Sequence, residues 1–211
     1  ATVANIETAN ILPGLTGNDI NTTTWTGLNT LNLTGVNKQT VTAATTTNVN
    51  VTGSNAIGDT VITGGNNVSV TVTGATNAGG VAATDGIVVN STVAGTVTVD
   101  ATTLATAGTV GTTINVKGGT SVNITQKSSN AVNTTTTDGA VVVTGSALTK
   151  SVTVTSDAAV TASATKVGHI NGAVTINDVA AGSGTTAGVI ETVTIANGAV
   201  VAVDSSALTT A

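Results

Sequence analysis

Val or Ile alternates with Thr, Ser or Asn in short runs along most of the chain. Such runs lie at residues 68–72, 97–99, 114–116, 122–124, 141–143, 152–154, 174–176, 193–195 and 201–203. Side chains alternate across a strand, so each run predicts a strand with branched aliphatics on one face and small polar groups on the other. Thr is stiff at χ1 and suits the outer face of a strand without adding charge. Breakers separate the runs at Gly64-Gly65, Gly79-Gly80, Asp85-Gly86, Gly118-Gly119, Asp138-Gly139 and Asn197-Gly198. No stretch carries the apolar period of an amphipathic helix. The pattern predicts an all-β chain.

The runs also repeat. Residues 84–89 (TDGIVV) return as 137–142 (TDGAVV), a shift of 53. Gly64-Gly65 followed by Val68 and Val70 returns as Gly118-Gly119 followed by Val122 and Ile124, a shift of 54. Val97-Thr98-Val99 returns as Val152-Thr153-Val154, a shift of 55. Landmarks that keep their order with single-residue drift mark a degenerate repeat of 53–55 residues, clearest over 60–156. A second motif frames the chain, with residues 6–11 (IETANI) matched by 190–195 (IETVTI).

Within a repeat the steps from run to run alternate: 17 residues from Val97 to Ile114, 8 to Val122, 19 to Val141 and 11 to Val152. One long plus one short step makes a coil of about 25–30 residues, and the long step leaves room for a third, weaker strand. The expected architecture is a parallel β-helix with two coils per repeat, inward Val and Ile stacking into a continuous core. The alternative is an antiparallel, immunoglobulin-like β-sandwich, with residues 117–120 (KGGT) as a hairpin turn. Residues 41–211 form the repeat-built unit. Residues 1–40 are expected to act as a cap or an intersubunit strand, with 1–24 as a segment donated to a neighbouring copy.

Composition sharpens this picture. The chain has 211 residues, with 40% hydrophobics, a single Trp, and no Phe, Tyr, Met or Cys. An interior built on Leu, Phe and Met is excluded, as are disulfides and Cys-ligated metals. Charged residues make up 7%, against roughly 25% in ordinary domains. Five Lys, no Arg and a net charge of −5 argue against a nucleic-acid partner, which needs clustered Lys and Arg. No apolar run approaches the ~18–20 residues of a membrane span. The N-terminus lacks the features of a signal peptide, which leaves a processed end or a cut inside a longer polypeptide.

Residues 27–35 (GLNTLNLTG), 189–195 (VIETVTI) and 199–208 (AVVAVDSSAL) resemble the Thr/Ala/Val/Asn/Gly-rich repeats of bacterial surface-layer proteins. The nearest kind is that of Gram-negative proteins exported by type I secretion, with large repeat adhesins beside them. The resemblance implies a secreted, extracellular protein that assembles with copies of itself into a lattice or fibre on the cell surface. It also implies calcium, held in Gly- and Asp-rich nonapeptide loops. This chain departs there, having no Gly-Gly-x-Gly-x-Asp copy.

Candidate chemistry is sparse. Asp85 and Asp138, each followed by Gly, are the calcium candidates if carboxylates stack on successive coils; the other reading is a plain Asp-Gly turn, with Gly supplying positive φ. His169, the only histidine, has no recognisable motif around it and is expected at a surface or turn. Trp25 fits a binding platform, an intersubunit anchor or a cover over the end of the core. Asn-x-Ser/Thr at Asn21, Asn32, Asn50, Asn67, Asn90, Asn123 and Asn133 admits glycosylation. Thr-x-Thr pairs would bind ice only if aligned on one regular face, and the uneven strand steps argue against that. No catalytic residue is assigned. The expected role is structural, with an adhesin module contacting cell-surface polysaccharide as the alternative and a polysaccharide-active β-helix enzyme as a remote one.

Overall fold

A computed structural model describes residues 3–13, 19–36, 39–53, 60–74, 76–77, 86–90, 94–105, 110–130, 135–164, 168–178 and 188–209. Its strands fall into three sheets. The first contains β1 (Thr8–Ile11), β3 (Thr30–Val36), β5 (Asn48–Gly53), β7 (Val68–Thr73), β10 (Thr96–Ala105), β13 (Ser121–Asn130), β16 (Ser151–Ser156) and β19 (Thr192–Ala196), in that order. The second contains β2 (Ile20–Asn21), β4 (Thr40–Ala43), β6 (Thr60–Gly64), β9 (Gly86–Asn90), β12 (Thr113–Lys117), β15 (Val141–Thr144), β18 (Val174–Asn177) and β20 (Val201–Asp204). The third is short: β8 (Thr76–Asn77), β11 (Val110–Gly111), β14 (Thr135–Thr137) and β17 (Gly168–Ile170). Every ladder in the two large sheets is parallel, and the chain alternates between them, as in a parallel β-helix. The one antiparallel pair among named strands is β8 with β11.

The core follows from the alternation. In the first sheet Leu31, Val49, Val68, Val97, Val122, Val152 and Val193 stack in register, with Leu33, Val51, Val70, Val99, Ile124 and Val154 beside them. In the second, Ile87, Ile114, Val141 and Val174 form the facing column. All of these are buried. Branched side chains repeated on every coil interdigitate at nearly constant width, so no aromatic is needed to fill the space.

The repeat is two coils. Val68, Val97 and Val122 are successive partners, at steps of 29 and 25 residues. The long step inside each coil holds the third strand: β11 lies between Val97 and Ile114, and β14 between Val122 and Val141. Coil length is not uniform, however. The first-sheet steps run 22, 18 and 19 residues from Ala9 to Val68, then 29, 25, 30 and 41 to Val193. Pairing in the sheets fixes the register and the corners absorb the rest. Among the described residues the early coils carry no strand of the third sheet. The strands β1 and β3 belong to this stack, since they pair in register within the same chain.

Residues 117–120 make a corner, not a hairpin. Gly118 and Gly119 both have positive φ (85° and 84°), and they turn the chain from β12 in the second sheet to β13 in the first. Gly139 has a different role from the one expected of an Asp-Gly turn, because its φ is not positive. A Cβ there would lie 2.1 Å from the Thr112 carbonyl oxygen and 2.5 Å from that of Gly111, so glycine is required by the approach of the neighbouring coil. Gly139→Ala is expected to destabilise the protein by about 1–3 kcal/mol, because backbone must move to admit the methyl. Urea unfolding would measure it, and a change within about 0.5 kcal/mol would show that the corner yields freely.

A buried Ser–His–Asp row as the candidate functional site

The site begins where the aliphatic columns end. In β13 the inward positions continue past Val122 and Ile124 as Gln126 and Ser128, still at period two. Gln126 aligns with Ala101 and Ser156, and Ser128 aligns with Thr103. From the third sheet, Thr136 of β14 and His169 of β17 are register partners, and both are buried. Asp138 follows β14 on the way to the second sheet. Three sheets thus meet at a corner lined with polar groups.

His169 is therefore not a surface residue; it is 4% exposed. Its Nδ1 lies 2.7 Å from Ser128 Oγ. Its Nε2 lies 3.2 Å from Asp138 Oδ2. The second contact is within ion-pair distance but off the line of a hydrogen bond. The Thr136 hydroxyl donates to Ser128 Oγ at 2.9 Å. In the neutral tautomer with its proton on Nε2, the ring turns an N–H towards the carboxylate and leaves Nδ1 to accept from the Ser128 hydroxyl. Burial pushes the Asp138 carboxyl above the usual carboxylate range, and the charge of His169 opposes that rise.

The surrounding bonds hold the row in place. Gln126 Nε2 donates to the Gly139 carbonyl at 2.9 Å, and Ser156 Oγ donates to Gln126 Oε1 at 3.3 Å. The strand β16 ends at Ser156, and beyond it the Ser128 N–H donates to Asp157 Oδ2 at 2.9 Å. Asn171 Nδ2 donates to the Asp157 carbonyl at 2.7 Å. Val160 and His169 exchange backbone hydrogen bonds of 2.9 and 2.7 Å, which pairs the segment around 160 with β17. A cavity of about 330 Å³ opens there, bordered by Thr135, Ala159, Val160, Thr161, Ala162, His169 and Ile170.

Asp85 lies outside the described residues. Asp138 has no carboxylate stacked on it: the positions following Val110 and Ile170, the register partners of Thr137, are Gly111 and Asn171. The two Asp-Gly copies are also offset by one residue, because Gly86 aligns through Thr113 with Ala140. Asp138 is thus partnered by an imidazole rather than poised as a rung of a calcium ladder. Among the described residues no group of three or more His, Asp or Glu is arranged to hold a metal. A second buried carboxylate, Asp178, serves the fold. Its Oδ2 accepts from the N–H groups of Val189 and Ile190 and from Ser205 Oγ, at 2.7–2.9 Å.

The outer face of the first sheet is the other distinctive surface. Asn10, Asn32 and Asn50 form a ladder, each amide nitrogen donating to the preceding Oδ1 at 2.8 Å. The row continues through Ser69, Thr98, Asn123, Thr153 and Thr194. The next row holds Thr52, Thr71, Asp100, Thr125 and Thr155, with Asp100 the one charge in either row. Side-chain ladders of this kind favour a flat sheet. The Thr-x-Thr pairs do not line up as a motif: Thr71/Thr73 and Thr192/Thr194 occupy different rows. Uneven steps are not the cause, since the strands themselves are in register. Asn133 lies outside the described residues. Trp25 is half-buried and packs against the core beside the first coils, as a cover would.

Sequence reasoning missed Ser128, Thr136 and Gln126. The available signal was the unbroken period two of β13, which carries polar side chains onto the inward face. Compared with protein-family models and with curated protein sequences, the chain matches none.

Proposed function

We propose that this chain is a structural element of an extracellular surface layer or filament, acting through association with copies of itself. The observation that carries the reading is the outer face of the first sheet, where two in-register rows of Asn, Thr and Ser contain a single charge. Charge normally keeps identical molecules apart. Here the two rows offer mainly hydroxyls and amides beside that one carboxylate, repeated at the ~4.8 Å strand spacing, so copies can meet there with little repulsion. The likeness of residues 27–35, 189–195 and 199–208 to surface-layer repeats supports the same role and an extracellular location.

Electron microscopy of the purified chain, with and without calcium, tests this. Sheets or fibres are expected. Monodisperse rods at high concentration would overturn self-assembly and favour an adhesin module, whose hydroxyl-rich face would contact surface polysaccharide. Thr52 and Thr155 are exposed positions in the second row, far apart along the rod. The double variant Thr52→Lys/Thr155→Lys is expected to disperse the assembly at low salt and to recover it as salt screens the added charges. Assembly unchanged by the two lysines would remove this face from the contact.

A further inference from the structure

We propose that Ser128 is a nucleophile activated by His169, with Asp138 as its positioning residue, and that it accepts acyl groups from carboxylic esters. The inference goes beyond the assembly role and does not depend on it.

The geometry carries it. A nucleophile–base pair needs a heavy-atom separation of about 2.6–3.2 Å with the base held by a third group. Ser128 Oγ and His169 Nδ1 are 2.7 Å apart, and Asp138 faces the other ring nitrogen at 3.2 Å. The ring is used with its nitrogens in the opposite order from the familiar serine-hydrolase triad. The chemistry is the same, because protonation at Nδ1 yields the same imidazolium, which the carboxylate then stabilises. Burial is graded in the required direction: Ser128 is half-buried, while His169 and Asp138 are almost inaccessible. Thr136 donates to Ser128 Oγ and so leaves the serine proton to point at the ring. The charged groups around the imidazole are Asp138 directly and Asp157 through the Ser128 amide.

The cavity reaches His169, but Ser128 is not on its border, so the reaction class follows from the nucleophile and not from that lining: an activated hydroxyl takes the acyl group of a carboxylic ester. In the reaction Ser128 Oγ attacks the ester carbonyl carbon as its proton passes to Nδ1. The carbon–alkoxy bond then breaks and the alcohol leaves with that proton, giving an acyl ester on the Ser128 oxygen. Water attacks the acyl carbon and gives its proton to Nδ1; the Oγ–carbon bond breaks, the acid departs, and Ser128 is reprotonated. The Ser128 N–H is already committed to Asp157, and an absent oxyanion donor costs about 10²–10³ in rate. Acylation is therefore the sensitive readout, rather than turnover.

The test uses the full chain and a fluorophosphonate probe, which bonds phosphorus to Ser128 Oγ as fluoride leaves. Intact mass and peptide mapping are expected to find one adduct, at Ser128, forming faster as pH rises and Nδ1 loses its proton. Ser128→Ala should abolish the adduct. His169→Gln should slow it by at least about 100-fold. Asp138→Asn should slow it and move the midpoint of the pH profile down, since the carboxylate that favours imidazolium is gone; a merely structural residue would leave the midpoint in place. The chain has no cysteine, so Ser128→Cys adds a single thiol, and its alkylation by iodoacetamide should persist at pH values below the range of a free thiol. No adduct, adducts scattered over many hydroxyls, or a Ser128 rate indifferent to His169 would overturn the proposal. So would an introduced thiol that alkylates with the pH profile of a free one.

Discussion

Ile114→Ala is expected to remove about 2–5 kcal/mol of unfolding free energy, towards the upper end of that range. Ile114 is fully buried between Ile87 on one neighbouring coil and Val141 on the other. Deleting its outer carbons loses their transfer energy and leaves a void. The void stays open, because its nearest neighbours in the column are β-branched or held by a parallel ladder on both sides, and stiff side chains do not swing in to fill it. Asn115 is the control, since it points outward from the same strand; Asn115→Ala should cost under about 1 kcal/mol. In a stacked rod each coil contacts only its neighbours. The loss should therefore appear first as faster amide exchange around 87–89, 114–116 and 141–143, before it reaches the coil at 31–33. Urea melts and hydrogen exchange would both report it. Equal costs at 114 and 115 would contradict the inward column.

His169→Leu is expected to cost about 3–5 kcal/mol near neutral pH, the range for leaving a buried carboxylate without its partner. Leucine fills much the same space, so most of that loss is electrostatic: Asp138 stays buried with no imidazole N–H opposite it. The pH dependence identifies the cause. Burial already raises the Asp138 pKa from its ordinary 3.8 in the wild type. A raised carboxyl binds its proton more tightly when folded, so its contribution to stability is full below the unfolded value and is lost as pH rises through the folded one. Without His169 the folded value rises further. The deficit of the variant should therefore be small at about pH 3.5–4 and should grow towards pH 7, by about 1.4 kcal/mol for each unit of additional rise. Guanidinium melts at the two pH values measure it. A deficit of the same size at both would mean that packing, not charge, explains His169.

Residues differ in how much of their role is visible along the chain. Val122 and Ile124 could be assigned to the core by their spacing alone, and Gly118-Gly119 to a break between strands by their identity. His169 could not. Its neighbours in sequence, Gly168 and Ile170, say nothing of Ser128, which lies 41 positions away and is brought to it by the pairing of β14 with β17. Asp138-Gly139 was misleading for a similar reason, since its glycine answers to Thr112 on the preceding coil, not to its own turn. The uneven steps between runs suggested misaligned outer faces, yet the ladders hold register and the length differences fall at the corners.

The amino-acid order by itself determined an all-β chain with a 53–55-residue period, an aliphatic interior and few charges, and it favoured stacked coils over a sandwich without deciding between them. Those properties are local: side chains alternate every two residues, and a repeated run must pair with its own kind to bury its branched face. Only the tertiary structure decided that the sole histidine is buried between a serine and an aspartate, because that meeting depends on how far each corner carries the chain before the next strand docks. Strand register is set by a few backbone hydrogen bonds and a hydrophobic column, and everything the loops carry is positioned as its consequence.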